Sequence, residues 1–166
     1  MVKPLEPSAV ELDSLPLTYR QTIPDDYLDA MGHMNVMWYT HLFGRAFGGL
    51  FNLIGFTHEF MEVNQSGSFA LEAHIRYFSE VHVDHSIRIH TRLLGQSEKR
   101  IHLMHFMWNE SKHDLAATFE VVSAHIDMTQ RRMSPFPKVI AARLAQILSE
   151  HEALEWPAPT CGTMEP

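Results

Sequence analysis

The sequence predicts an α+β domain in which a curved antiparallel β-sheet wraps a long buried helix and a second helix closes the C-terminus. Three observations predict it. Residues 36–54 are apolar on almost every side, the pattern of a helix enclosed by its own protein. Four strand-like runs follow, separated by turns short enough for hairpins. The dimensions also match, because about 20 helical residues span roughly 30 Å and strands of about 10 residues roughly 33 Å. With 166 residues, 45% hydrophobic and 20% charged, the chain has the length and composition of one globular domain.

In chain order, residues 1–16, punctuated by Pro4, Pro7 and Pro16, are expected to be an irregular arm. Residues 17–23 alternate, Leu17, Tyr19, Gln21 and Ile23 against Thr18, Arg20 and Thr22, and predict a first strand. Pro24-Asp25-Asp26 ends it, and Asp29-Ala30-Met31-Gly32 makes a tight connection in which Gly32 supplies backbone freedom. Asn35 is placed to cap the helix at 36–54. That helix carries His41, Arg45, Asn52 and three glycines, which argues against a membrane span. A loop from Gly55 through Gly67 leads to strands at 69–80, 86–94, 100–108 and 115–128. Pro135-Phe136-Pro137 stops the last strand, and 138–152 is an amphipathic helix with Val139, Ile140, Leu144, Ile147 and Leu148 on one side. The single domain is thus expected over 17–155, followed by a loose, Pro-rich tail at 156–166.

The net charge of −7 argues against a nucleic-acid or anionic-membrane surface, since both need clustered positive charge. The absence of an apolar leader pattern makes the cytoplasm the expected compartment. One cysteine, Cys161, excludes an intramolecular disulfide and a cysteine-based metal cage. The 12 histidines invite a metal reading, but their spacing opposes it. His82/His85 and His102/His105 are three apart, so on a regular strand each pair points to opposite faces. His41 is followed at i+3 and i+4 by Gly44 and Arg45, and no His-x-x-x-His motif occurs, so no metal is expected.

The segment Asp29-Ala30-Met31-Gly32-His33-Met34-Asn35, followed by Tyr39 and the apolar helix, resembles the Asp-x-x-Gly-His-x-Asn…Tyr signature of hotdog-fold acyl-CoA thioesterases of the 4-hydroxybenzoyl-CoA thioesterase type. The resemblance continues through Glu72–Glu80, Lys99–His102, Ala117–Glu120 and His125–Asp127 to Phe136-Pro137, covering about residues 17–148. Its later segments resemble the thioesterases of carnitine breakdown, whose substrate is betainyl-CoA. The resemblance implies that Asp29 acts on the thioester as general base or nucleophile. It also implies that backbone amides near Asn35 and Val36, at the positive end of the helix dipole, receive the oxyanion. A turn-capping aspartate is the structural alternative for Asp29. His33 either orients Asp29 or the substrate carbonyl, or bonds only the turn.

Gly32, Trp38 and Tyr39 join the expected substrate-binding set. Trp38, Phe43, Phe47 and Trp108 are either core or pocket aromatics able to hold a quaternary ammonium by cation–π attraction. Glu72, His74 and Arg76 share one strand face, which is either solvent- or subunit-facing or a polar site wall completed across a dimer. For the phosphates of coenzyme A the candidates are Arg131-Arg132 and Lys99-Arg100, with ordinary surface charge as the alternative. Coenzyme A enters as part of the substrate, and no separate cofactor is expected. The family works as dimers or dimers of dimers, and a single sheet around one helix leaves an edge strand needing cover. Two other functions fit the same residues: a hotdog hydratase or dehydratase using His33, and a non-catalytic acyl-CoA-binding module.

Overall fold

The computed structural model describes residues 6–166. Its elements run α1 (Ala9–Asp13), β1 (Leu17–Thr22), a 3₁₀ turn (Asp25–Tyr27), α2 (Val36–Ile54), α3 (His58–Val63), β2 (Ser66–Tyr77), β3 (Ser86–Gln96), β4 (Arg100–Asn109), β5 (Asp114–Asp127), β6 (Arg132–Met133) and α4 (Lys138–Glu152). The strands form one antiparallel sheet in the order β1-β3-β4-β5-β2, with the short β6 pairing β5. The sheet wraps α2, and the arrangement is the α+β hotdog fold that the sequence led us to expect.

The alternation of β4 and β5 explains the two-sided architecture. Ile101, Leu103, Met107, Phe119 and Val121 pack with Leu42, Phe43, Ala46 and Leu50 of α2 in the main core. On the other face, Met104, Phe106, Trp108 and Leu115 form a second cluster under Leu12, Leu15, Leu154 and Trp156. That second cluster is why both termini depart from expectation. The arm is irregular only in part. Ser8 and Glu11 form a reciprocal capping box that starts α1 and lets Leu12 bury itself on the sheet. Its first five residues lie outside the described ones.

The 156–166 tail is not loose either. The Arg92 guanidinium lies 4.3 Å over the Trp156 ring and donates 2.7 Å to its carbonyl, and Met164 is buried. An apolar sheet face left bare by the helix gains by being covered, and the terminal segments cover it.

Helix α2 begins where expected, with Asn35 Oδ1 accepting the Met37 amide at 3.0 Å. It is not enclosed on every side, however. Met37, Thr40, His41, Gly44, Arg45, Gly48 and Asn52 form an exposed stripe at helical spacing. Gly49 is required by the close approach of α2 to β1, since a Cβ there would lie 1.9 Å from the Thr18 carbonyl oxygen. Among the described residues no helix is long and apolar enough to cross a membrane.

Candidate active site

Between β1 and α2 the chain makes a small closed loop. Leu28 and Met34 bridge as an antiparallel pair, the Asp29 amide donates to the His33 carbonyl at 3.0 Å, and the Gly32 amide donates back to the Asp29 carbonyl at 3.1 Å. Gly32 has φ +84°, a conformation glycine adopts without steric penalty. Three further bonds fix the loop on its surroundings. The Met34 amide reaches the Val81 carbonyl at 2.7 Å, the Asn35 amide reaches Tyr27 at 2.9 Å, and His82 Nδ1 donates to the Gly32 carbonyl at 3.0 Å.

The loop holds one carboxylate against one imidazole. Asp29 Oδ1 accepts the Met31 amide at 2.8 Å, and Oδ2 stands 3.4 Å from His33 Nδ1. Their side chains are 23% and 32% exposed, so both meet the same half-dry space. That space is a cavity of about 390 Å³ lined by Asp29, His33, Asn35, Val36, Tyr39 and the 77–80 segment. Its far wall is Tyr77, Phe78, Ser79 and Glu80, where β2 ends. Lys112 Nζ holds that wall by donating 2.6 Å to Ser79 Oγ.

The Tyr39 and Tyr77 rings meet edge to face with centroids 5.1 Å apart. Burial pushes the Tyr39 phenol up to about 12, and desolvation raises Tyr77 as well, so both remain neutral near pH 7.

Of the expected site residues, the structure gathers Asp29, His33, Asn35, Val36 and Tyr39 around one cavity, with Gly32 shaping its loop. The two expected oxyanion amides are not equivalent. The Asn35 N–H is already taken by the Tyr27 carbonyl, which corrects the expectation for that residue. In the first turn, Met37 donates to Asn35 Oδ1 and Trp38 to the Asn35 carbonyl. The Val36 N–H therefore remains as the first-turn donor without an acceptor among the described residues.

Trp38 does not line the cavity. It stacks on Tyr27 at 3.8 Å, because one helical step rotates it away from Tyr39. Phe43 is buried in the main core, with Phe47 packed against it, and Trp108 belongs to the second cluster.

Glu72, His74 and Arg76 do share a face, but the wrong one for this cavity. Ile75 packs into the α2 core and Tyr77 meets Tyr39, so strand alternation turns the even-numbered residues outward. The basic pairs are also remote within one chain. Lys99 accepts the His125 amide and Arg132 pairs with Asp127, at one end of β5, whereas Tyr77 pairs with Ala117 at the other. Ten residues of strand separate those ends, roughly 34 Å.

Tyr77, Phe78, Ser79, Glu80 and the loop-pinning His82 escaped the sequence reading as site residues. Their only signal was the family-like segment 72–80, in which Glu72 and His74 looked more chemical than the residues beyond them.

Comparison with known proteins identifies the family of the chain. The model of the thioesterase-like superfamily matches residues 23–144, a span from the end of β1 into α4. A betainyl-CoA thioesterase of Pseudomonas aeruginosa is 26% identical over 140 residues, covering 84% of this chain and 88% of the relative. An L-carnitine dehydrogenase/betainyl-CoA thioesterase of Ruegeria pomeroyi is 31% identical over 142 residues, 85% of this chain, which corresponds to 28% of that longer protein. Among solved structures, a Staphylococcus aureus protein in complex with CoA superposes with a TM-score of 0.81 at 23% identity, covering 92% of this chain and 96% of its own. The 1,4-dihydroxy-2-naphthoyl-CoA thioesterase of Synechocystis gives 0.70 at 14% identity, with 79% of this chain and 96% of its own covered. Both structures share the fold. The chain belongs to the thioesterase-like superfamily and is a hotdog-fold thioester hydrolase acting on acyl-CoA.

Proposed function

We propose that this enzyme hydrolyses a small acyl-CoA bearing a quaternary ammonium, betainyl-CoA, with Asp29 activating the attack on the thioester. The observation that carries the proposal is the Asp29 carboxylate in a cavity that also holds the unpaired Val36 amide of the α2 N-terminus. Hydrolysis needs a base or nucleophile on one side of the carbonyl and a donor for the developing oxyanion on the other. Asp29 supplies the first and Val36, at the positive end of the helix dipole, the second. His33 at 3.4 Å holds the carboxylate in place.

Two features support the acyl group. The relatives from Pseudomonas aeruginosa and Ruegeria pomeroyi carry betainyl-CoA thioesterase activity in their names. The Tyr39 and Tyr77 rings offer aromatic surface to a trimethylammonium, and Glu80 adds a carboxylate on the same wall.

The phosphates of coenzyme A are assigned to a second copy of the chain. β2 is an edge strand with exposed Phe69, Leu71 and Tyr77, the sort of edge a protein covers. A two-fold, antiparallel β2–β2 pairing brings the basic end of one copy, with its Lys99-Arg100 and Arg131-Arg132 pairs, toward the cavity end of the other.

Thiol release from betainyl-CoA and from tert-butylacetyl-CoA, its neutral isostere, tests the acyl assignment. About tenfold higher kcat/KM for betainyl-CoA is expected, lost in Tyr77→Leu. Equal rates on both substrates would reject it. A light-scattering mass of one 19.1 kDa chain at working concentration would reject the shared site.

A further inference from the structure

On the sheet face opposite α2, three elements far apart in sequence bring a nitrogen, an oxygen and a sulfur together. His74 of β2 sits directly across from Glu120 of β5, and the C-terminal segment crosses them with Cys161. A ring nitrogen of His74, a carboxylate oxygen of Glu120 and the Cys161 sulfur all lie within 4.8 Å of one another.

Glu120 is the unusual member. Its side chain is 1% exposed in the middle of a sheet, where a carboxylate is rarely left. Oε1 meets His102 Nε2 at 2.9 Å and Oε2 accepts the Cys161 backbone N–H at 2.6 Å. Those two bonds take one lone pair on each carboxylate oxygen. Each carboxylate oxygen still has a second lone pair.

We propose that His74, Glu120 and Cys161 bind one divalent cation of zinc character, which fastens the C-terminal segment to the sheet. The donor set decides the metal class. A thiolate with an imidazole and one carboxylate suits a borderline-soft ion such as Zn²⁺ and suits Mg²⁺ or Ca²⁺ poorly. Tetrahedral ligands at 2.0–2.3 Å from zinc stand about 3.3–3.8 Å apart, so closure needs movements of about 1 Å. His74 and Cys161 are only half-buried and can make them, and the Cys161 sulfur meets nothing stronger than Thr163 Oγ1 at 3.3 Å.

His102 then orients the ligating carboxylate from behind, as outer-shell groups do at metal sites. Solvent takes the fourth position. The segment is already guided there, because Arg76 Nη1 donates to the Pro159 carbonyl at 3.3 Å and Trp156 is held by Arg92. The cluster lies on the opposite face from the Asp29 cavity, so the metal's role is structural, and this inference does not depend on the identity of the acyl group.

Cobalt and zinc titrations of the full-length, chelator-treated protein test it. One Co²⁺ per chain is expected, with thiolate-to-cobalt charge-transfer absorption, and Zn²⁺ is expected to displace it while slowing alkylation of Cys161 at least tenfold. Cys161→Ser is expected to abolish the charge-transfer band, and His74→Ala to weaken binding at least tenfold. Both replace half-buried side chains, so folding, checked by circular dichroism, survives even where Glu120→Gln fails to fold. Absence of the band, or uptake of the ion unchanged in both Cys161→Ser and His74→Ala, would overturn the proposal and assign any bound metal to other histidines.

Discussion

The Asp29 carboxylate and the His33 imidazole stand 3.4 Å apart inside a loop closed by the Leu28–Met34 bridge, and the second carboxylate oxygen is tied to the Met31 amide. A carboxylate held this way has its orientation fixed before substrate arrives, as the role proposed for Asp29 requires.

Asp29→Asn keeps the shape and the Met31 bond but removes the carboxylate proposed to activate the attack. Thiol release is expected to fall about 10²–10⁴-fold with little change in thermal stability. Single-turnover hydrolysis by the wild type in ¹⁸O-water then separates the two roles proposed for Asp29. A nucleophile whose mixed anhydride is opened by water at the Asp29 carbonyl leaves unlabelled carboxylate oxygen in the first product and ¹⁸O in Asp29, whereas a base puts ¹⁸O directly into the product.

His82 touches the loop from outside the cavity, donating to the Gly32 carbonyl. His82→Ala releases that end of the loop. A fall in kcat of about 10–100-fold is expected, with KM nearly unchanged and partial recovery in His82→Asn, whose amide can donate in place of the ring. A change confined to KM would show that His82 has no positioning role.

Two glycines of α2 separate packing from propensity. At Gly49 an added Cβ strikes the Thr18 carbonyl oxygen, whereas at Gly44 it meets nothing within 4 Å. Gly49→Ala is expected to lose about 1–3 kcal/mol or more as β1 is pushed off the helix. Gly44→Ala is expected to be neutral or to gain up to about 1 kcal/mol from helix propensity. Urea unfolding of the two variants side by side checks the contrast.

His105 makes stability depend on pH. It is fully buried beside Phe43, Phe47 and Phe119, with Nδ1 bonded to Thr91 Oγ1 at 2.7 Å, and burial lowers it from 6.5 to about 3. Between those values the unfolded chain binds the proton and the folded one does not. Stability is therefore full above about pH 6.5 and falls as the pH drops toward 3, by an upper bound of roughly 5 kcal/mol at about 1.4 kcal/mol per pH unit. His151 acts in the same direction. Burial, with Arg92 adding to it, lowers His151 to about 4, and its Nδ1 accepts the Leu93 amide at 2.9 Å. Unfolding free energies at pH 7 and 4.5 are expected to differ less in His105→Gln than in the wild type.

Much of this was legible in the sequence because local rules wrote it. The apolar run at 36–54 and its Asn35 cap gave α2 within the observed bounds, and α4 was found over the same residues. Strand periodicity located β3, β4 and β5 to within two residues at each end. The seven residues from Asp29 to Asn35 identified the loop that builds the cavity. Local rules failed where a partner distant in sequence decides. α1 is only five residues long and exists because Leu12 has an apolar sheet face to bury against. The tail, read as loose from its prolines, is held by Arg92, Arg76 and Glu120 on three different strands.

The sequence by itself determined the fold class, the order of the helices and long strands, and the carboxylate at the head of the buried helix. It did so because helical and strand periods, caps and a compact motif are all local in the chain. Only the tertiary structure decided that Tyr77 faces Tyr39 while His74 faces away, since a strand's two faces are equivalent until a core covers one of them. Tertiary structure also decided that the basic pairs lie at the far end of β5, and that His74, Glu120 and Cys161 meet at all. No spacing rule could show that meeting, because sheet register and a returning tail bring together residues more than 40 positions apart.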